Sequence, residues 1–104
     1  MKWSNAKITI YVWSDDGKNS ARKDIIAKCK GIFAIHDNYD NPEFKTLTHI
    51  PTGKLLIAES STMKLYKATK QLELLDWEGV EEGKKPPENF NLEQFRQIQR
   101  NFSL

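Results

Sequence analysis

Thr48-His49-Ile50-Pro51-Thr52-Gly53 constrains this chain more than any other stretch. It lies between two short apolar runs. Pro51 presets φ for the first turn position, Thr52 follows in the right-handed region, and Gly53 supplies the φ > 0 residue that closes a three-residue hairpin loop. The arms are Phe44 to Ile50 and Lys54 to Ala58. A one-residue slip would turn every side chain to the wrong face, so the turn sets the register of both strands. An antiparallel pair in mid-chain then needs a sheet around it and a layer to cover that sheet.

The flanks supply both. Residues 6–13 are β-branched and aromatic, with Ile8, Ile10 and Val12 on one face and Thr9, Tyr11 and Trp13 on the other, which predicts a strand. Turn chemistry at 14–19 ends it. Residues 21–30 are expected to form a short helix capped by Ser20. Its stripe is Ala21, Ile25 and Cys29, widened by Ile26, and Gly31 stands at C′; a continuous strand through 24–36 is the rival. Ile32 to His36 reads as a buried strand, closed by a loop at 37–42. A helix is predicted over about 62–75, where Leu65, Ala68, Leu72 and Leu75 recur at helical spacing, with Ser and Thr at 60–62 as caps. Asn91 and Gln94 form a capping-box pattern for a last helix, with Phe90 and Phe95 as its staple. The order β-α-β-β-β-α, then a C-terminal helix, predicts an α+β fold with a mainly antiparallel sheet of about four strands and helices on one face. The expected units are a core over 1–77, a polar linker over 78–90, and a helix over 91–104 docking on the core. The expected core residues are Ile25, Cys29, Phe33, Ile35, Leu55, Ile57, Leu65, Ala68, Leu72 and Trp77.

At 104 residues the chain has room for one hydrophobic core. No apolar run reaches the ~20 residues a membrane-spanning helix needs, and the N-terminus lacks a signal-peptide core, so a cytoplasmic location is expected. Cys29 is alone and reads as a small core residue. The net charge of +2 hides an asymmetry: residues 1–70 carry 12 Lys or Arg against 7 Asp or Glu, and residues 71–104 carry 4 against 7. A basic body with an acidic tail would suit an anionic partner on one side, and ordinary solvated faces account for the same asymmetry.

Catalytic signatures are missing. There is no Gly-x-Ser-x-Gly elbow and no Gly-rich phosphate loop, and Ser60, Ser61 and Thr62 look like caps. His36 and His49, even with Asp37, Asp40 or Glu43 nearby, lack the spacing of a metal site. The expectation is a non-enzymatic protein without cofactor or metal. Two surfaces are candidates for binding. Tyr11, Trp13, Tyr39 and His49 would anchor a protein partner. Arg22, Lys23, Lys64 and Lys67 would bind nucleic acid through phosphate. The stripe Leu92, Phe95, Ile98 and Phe102 would cover the domain's own sheet or join two copies.

Two resemblances add context. The expected helix, three strands and helix over 21–75 resemble in order the α-β-β-β-α of double-stranded RNA-binding domains. In that family basic residues at the start of the second helix bridge phosphates, a place near which Lys64 and Lys67 fall. The run Gly31-Ile32-Phe33-Ala34-Ile35-His36, then Thr46 to Gly53, a helix with alanine, and Leu75-Asp76-Trp77 resemble small uncharacterised proteins of phages and bacterial mobile elements. That resemblance implies a protein that inhibits or modulates a host factor, such as a defence component, in the manner of anti-CRISPR proteins, inside a bacterial host.

Overall fold

A spacing of four residues fits a helix, but it also fits a strand, because four is twice two. Residues 20–30 use the second solution. The computed structural model, which describes residues 2–13, 20–81 and 84–103, holds β1 (Ser4–Trp13), β2 (Ser20–Lys30), β3 (Phe33–Asp37), β4 (Lys45–His49), β5 (Lys54–Ser60), α1 (Thr62–Leu72) and α2 (Leu92–Phe102). The architecture is α+β with one antiparallel sheet in the order β1-β2-β3-β4-β5. The sheet has five strands where about four were expected, because the helix expected over 21–30 is β2. Alternation explains it: Ile25, Ala27 and Cys29 turn inward, while Arg22, Asp24, Ile26 and Lys28 are exposed. The long β1 also needs a partner, and β2 supplies ten paired residues from Ser4↔Cys29 to Trp13↔Ser20. Gly31, at φ 60°, serves a two-residue hairpin turn between Lys30 and Phe33 rather than a helix end. The rival strand through 24–36 is broken by the same turn. The turn expected at 14–19 lies outside the described residues, as does the side chain of Trp13.

The hinge of the molecule is the β2–β3 ladder. It has three pairs, Lys28↔Ile35, Cys29↔Ala34 and Lys30↔Phe33. Beyond Lys28 the β1–β2 arm leaves β3 and curls over one face of the sheet. There Ile8, Ile10, Ala27 and Ala34 form a small cluster with Ile25, Cys29 and Ile50. The curl is deep enough that Tyr11 N–H points at Gly53 C=O, 3.4 Å away.

The opposite face carries the main core. Phe33, Ile35, Leu47, Leu56 and Ile57 from the sheet meet Leu65, Ala68 and Leu72 of α1 and Ile98 of α2. Both helices pack on this face. Leu55 is a correction to the expected core. A register irregularity between Leu47 and Thr48 in the β4–β5 ladder turns Leu56 and Ile57 both inward and leaves Leu55 56% exposed. The caps are as read: Ser61 Oγ accepts from Lys64 N–H (3.3 Å), Asn91 Oδ1 from Gln94 N–H (3.0 Å), and the rings of Phe90 and Phe95 meet at 5.6 Å. Helix α1 stops at Leu72, three residues earlier than its pattern suggests, yet Leu75 still packs on the core. Two long-range hydrogen bonds tie α2 down: Gln99 Nε2–H to Leu56 C=O and Ser60 Oγ–H to Phe102 C=O, both 2.5 Å. Of the stripe Leu92, Phe95, Ile98 and Phe102, Ile98 is 1% exposed in the chain's own core, and Phe95 and Phe102 pack partly buried against it. No helix among the described residues is long and apolar enough to cross a membrane.

Candidate binding groove

Where the arm leaves β3, a groove opens with a volume of about 490 Å³. One wall is β2, with Lys23, Ile25, Ile26 and Lys28. The other is the end of β3 and the loop after it, with His36, Asn38 and Tyr39. Lys45, Thr62 and Asn5 also line it. A smaller recess of about 80 Å³ adjoins it and shares His36, Asn38 and Tyr39, adding Tyr11, Thr46, Thr48 and Gly53.

The loop that carries Tyr39 is tied in place. Asn38 N–H donates to Phe44 C=O (2.9 Å), and its side-chain amide donates to Ala58 C=O on β5 (2.8 Å). Asn38 Oδ1 accepts from the N–H groups of Asp40 and Asn41, each at 3.0 Å. Tyr39 thus stands on a built turn, the residue as a whole 51% exposed. The Lys23 ammonium lies 4.6 Å from that ring's centroid and 3.3 Å from its hydroxyl. On the arm itself the Arg22 guanidinium lies 5.3 Å from the centre of the Tyr11 ring, its cross-strand partner. These are cation–π contacts. They join residues that sequence reasoning had placed on two separate surfaces, Tyr11 and Tyr39 on one, Arg22 and Lys23 on the other. The signal that would have found the pairing is the alternation Ala21, Lys23, Ile25, Ala27, Cys29, which makes 20–30 a strand and brings Arg22 opposite Tyr11.

Charge on the arm is one-sided. Together β1 and β2 carry Lys7, Arg22, Lys23, Lys28 and Lys30 against the single acid Asp24. Asp24 is engaged by the Thr9 hydroxyl (2.7 Å) and by Lys7 (3.8 Å). Within the groove Asp37 is paired with Lys45. Lys64 and Lys67 are elsewhere, on α1, with Lys64 half-buried and Lys67 exposed. Arg22 and Lys23 thus stand on β2 and Lys64 and Lys67 on α1, whose first residue, Thr62, lines the groove.

Both histidines have structural roles. His36 is buried between two partners. Asp37 C=O only accepts, so Nδ1 of the neutral ring carries the proton (2.8 Å), and Nε2 accepts from the Thr48 hydroxyl (2.7 Å). Burial lowers its pKa from 6.5, opposed by the Asp37 carbonyl and carboxylate. His49 is corrected from surface anchor to core residue, being 2% exposed. Its ring stacks on Trp77 at 4.8 Å and its Nδ1 lies 2.9 Å from the Thr52 hydroxyl; burial lowers its pKa as well. Trp77 also meets Phe33, Phe90 and Phe95, and its Nε1–H donates to Leu72 C=O at 2.7 Å. Cys29 is half-buried on β2, and burial raises its pKa, which favours the thiol over the nucleophilic thiolate. Among the described residues no three His, Cys, Asp or Glu side chains gather to hold a metal ion. No protein-family model, curated protein or solved structure matches the chain.

Proposed function

We propose that this is a non-enzymatic binding protein whose arm and groove hold nucleic acid. The observation that carries the reading is the pairing of cation with aromatic ring at Lys23–Tyr39 and Arg22–Tyr11. Lysine and arginine neutralise phosphates, and aromatic faces take bases, so this mixture suits a polynucleotide. The excess of basic residues on β1 and β2 supports it. The non-enzymatic part is supported by the two histidines, which spend their ring nitrogens or faces on the fold, and by a Cys29 held as thiol. The resemblance to small phage and mobile-element proteins suggests a bacterial host as the setting.

A mobility-shift titration of the full chain against single-stranded and duplex DNA and RNA, from low to physiological salt, tests the reading. Affinity should fall steeply with salt, and Lys28→Glu should weaken binding and reduce the magnitude of the log–log salt slope by roughly one. If no nucleic acid binds at low salt, the reading fails. Tyr11 and Tyr39 would then be anchors for a host protein, to be sought by pull-down from nuclease-treated lysate.

A further inference from the structure

We infer that the groove between β2 and the 38–44 loop selects single-stranded over duplex nucleic acid, with a base stacked on Tyr39, the phosphate beside it taken by Lys23, and the backbone further along met by Lys28. This deepens the nucleic-acid reading and rests on it.

Three observations converge. The first is size. A groove of about 490 Å³ has the volume of a site for one drug-sized molecule, which is nucleotide scale. A duplex keeps its base faces stacked inside, so it can offer this groove only its backbone.

The second is the ring. Tyr39 is half-exposed, and the occupant of its face is the Lys23 ammonium rather than an apolar side chain. A flexible lysine moves away at little cost. A base that displaces it gains a stacking surface, and the displaced ammonium remains within reach of the same nucleotide's phosphate. The ring meanwhile stays put, because Asn38 anchors its loop to Ala58 and Phe44.

The third is the polar chemistry next to the ring. Tyr11 lines the adjoining recess beside Tyr39, and the Asn38 amide and the Thr46 and Thr48 hydroxyls that share it are held by Ala58 and His36, which fixes the wall behind the ring. Two acids stand near. Asp37 is paired with Lys45, and Asp40 lines the recess but not the groove. The phosphate path therefore runs along Lys23 and Lys28.

The experiment measures fluorescence anisotropy of a labelled oligothymidylate of about 15 nucleotides, and of a duplex of equal length, with the full chain at low salt. The single strand should bind more tightly. Tyr39→Ala should weaken single-strand binding about tenfold, as expected for loss of one base–aromatic stack, and leave duplex binding unchanged. Tyr39→Phe should retain the affinity. Tyr39→Leu, closer to the native side chain in size, repeats the test should the alanine variant melt early. A duplex that binds as well as the single strand, or a single-strand affinity indifferent to Tyr39→Ala and Tyr39→Leu, overturns this inference while Lys28→Glu still weakens both ligands. Failure of both ligands to bind removes the nucleic-acid reading together with it.

Discussion

His36 and His49 sit thirteen positions apart on neighbouring strands, each within reach of a threonine hydroxyl, and the sheet holds them on opposite faces. His49 faces the helical layer. Trp77 stacks on it, and Phe90 and Phe95 close around Trp77, so the imidazole is one plate in an aromatic core. His36 faces the side over which only the β1–β2 arm curls, and it lines both the groove and the recess. Local chemistry is nearly the same at the two sites. What differs is the covering layer: a tryptophan-centred pack on one face, a hairpin on a three-pair joint on the other. Stability is concentrated on the first face and accessible surface on the second.

The largest test of this contrast is Trp77→Ala. It removes ring contacts to Phe33, His49, Phe90 and Phe95 and the hydrogen bond to Leu72. The expected cost is about 3–5 kcal/mol by urea unfolding. A loss under about 1 kcal/mol would mean that His49 and the aromatic group are not a single packed unit.

Gly53→Ala acts where the two faces meet, since the β4–β5 turn touches the arm. Gly53 has φ 70°, and an added Cβ would lie 3.1 Å from Thr9 C=O and 3.3 Å from the Tyr11 ring. Left-handed strain and this close approach together should cost about 2 kcal/mol. An unchanged melting temperature would show that the arm does not close on the turn.

The smallest effect is that of pH. Burial lowers the pKa of both histidines, so the unfolded chain binds more protons as pH falls through its ordinary 6.5. Their contribution is therefore fully present above that value. It declines as pH drops toward the folded pKa values and levels off below them. Melting curves from pH 7.5 to 5 should show this decline. His36→Gln and His49→Gln should each flatten the profile, since burial lowers both pKa values. A profile that neither variant changes would remove the electrostatic side of the comparison.

How much of this was legible in the residues varies by region. The hairpin at 48–53, both caps and the α2 staple follow from local chemistry and are present, with Gly53 at positive φ as expected. The loop spans the four residues 50–53 where three were expected, because β4 ends at His49 and not Ile50. Residues 20–30 were misread because Ala21, Ile25 and Cys29 satisfy two periods at once, and the ten-residue partner in β1 decides between them. Leu55 was misplaced because strict alternation cannot anticipate the register irregularity opposite Leu47. The groove was illegible for a related reason. Tyr11–Arg22 depends on the β1–β2 register, and Lys23–Tyr39 on how far the arm curls back. Residue type does not say which of these side chains meet; tertiary geometry does.

The curl of β1 onto the β4–β5 turn has a consequence for the order in which the molecule assembles. Strands β3, β4 and β5 are joined by neighbouring hairpins, so they close short loops. The two chain ends close long ones: Tyr11 reaches Gly53, and Gln99 and Ser60 bridge 43 and 42 residues to and from α2. Loop-closure entropy rises with separation, and it must be met before such contacts contribute. The meander from Phe33 to Ser60 is thus the natural nucleus, and the groove is completed late, when the β1–β2 arm arrives and β2 forms its second wall.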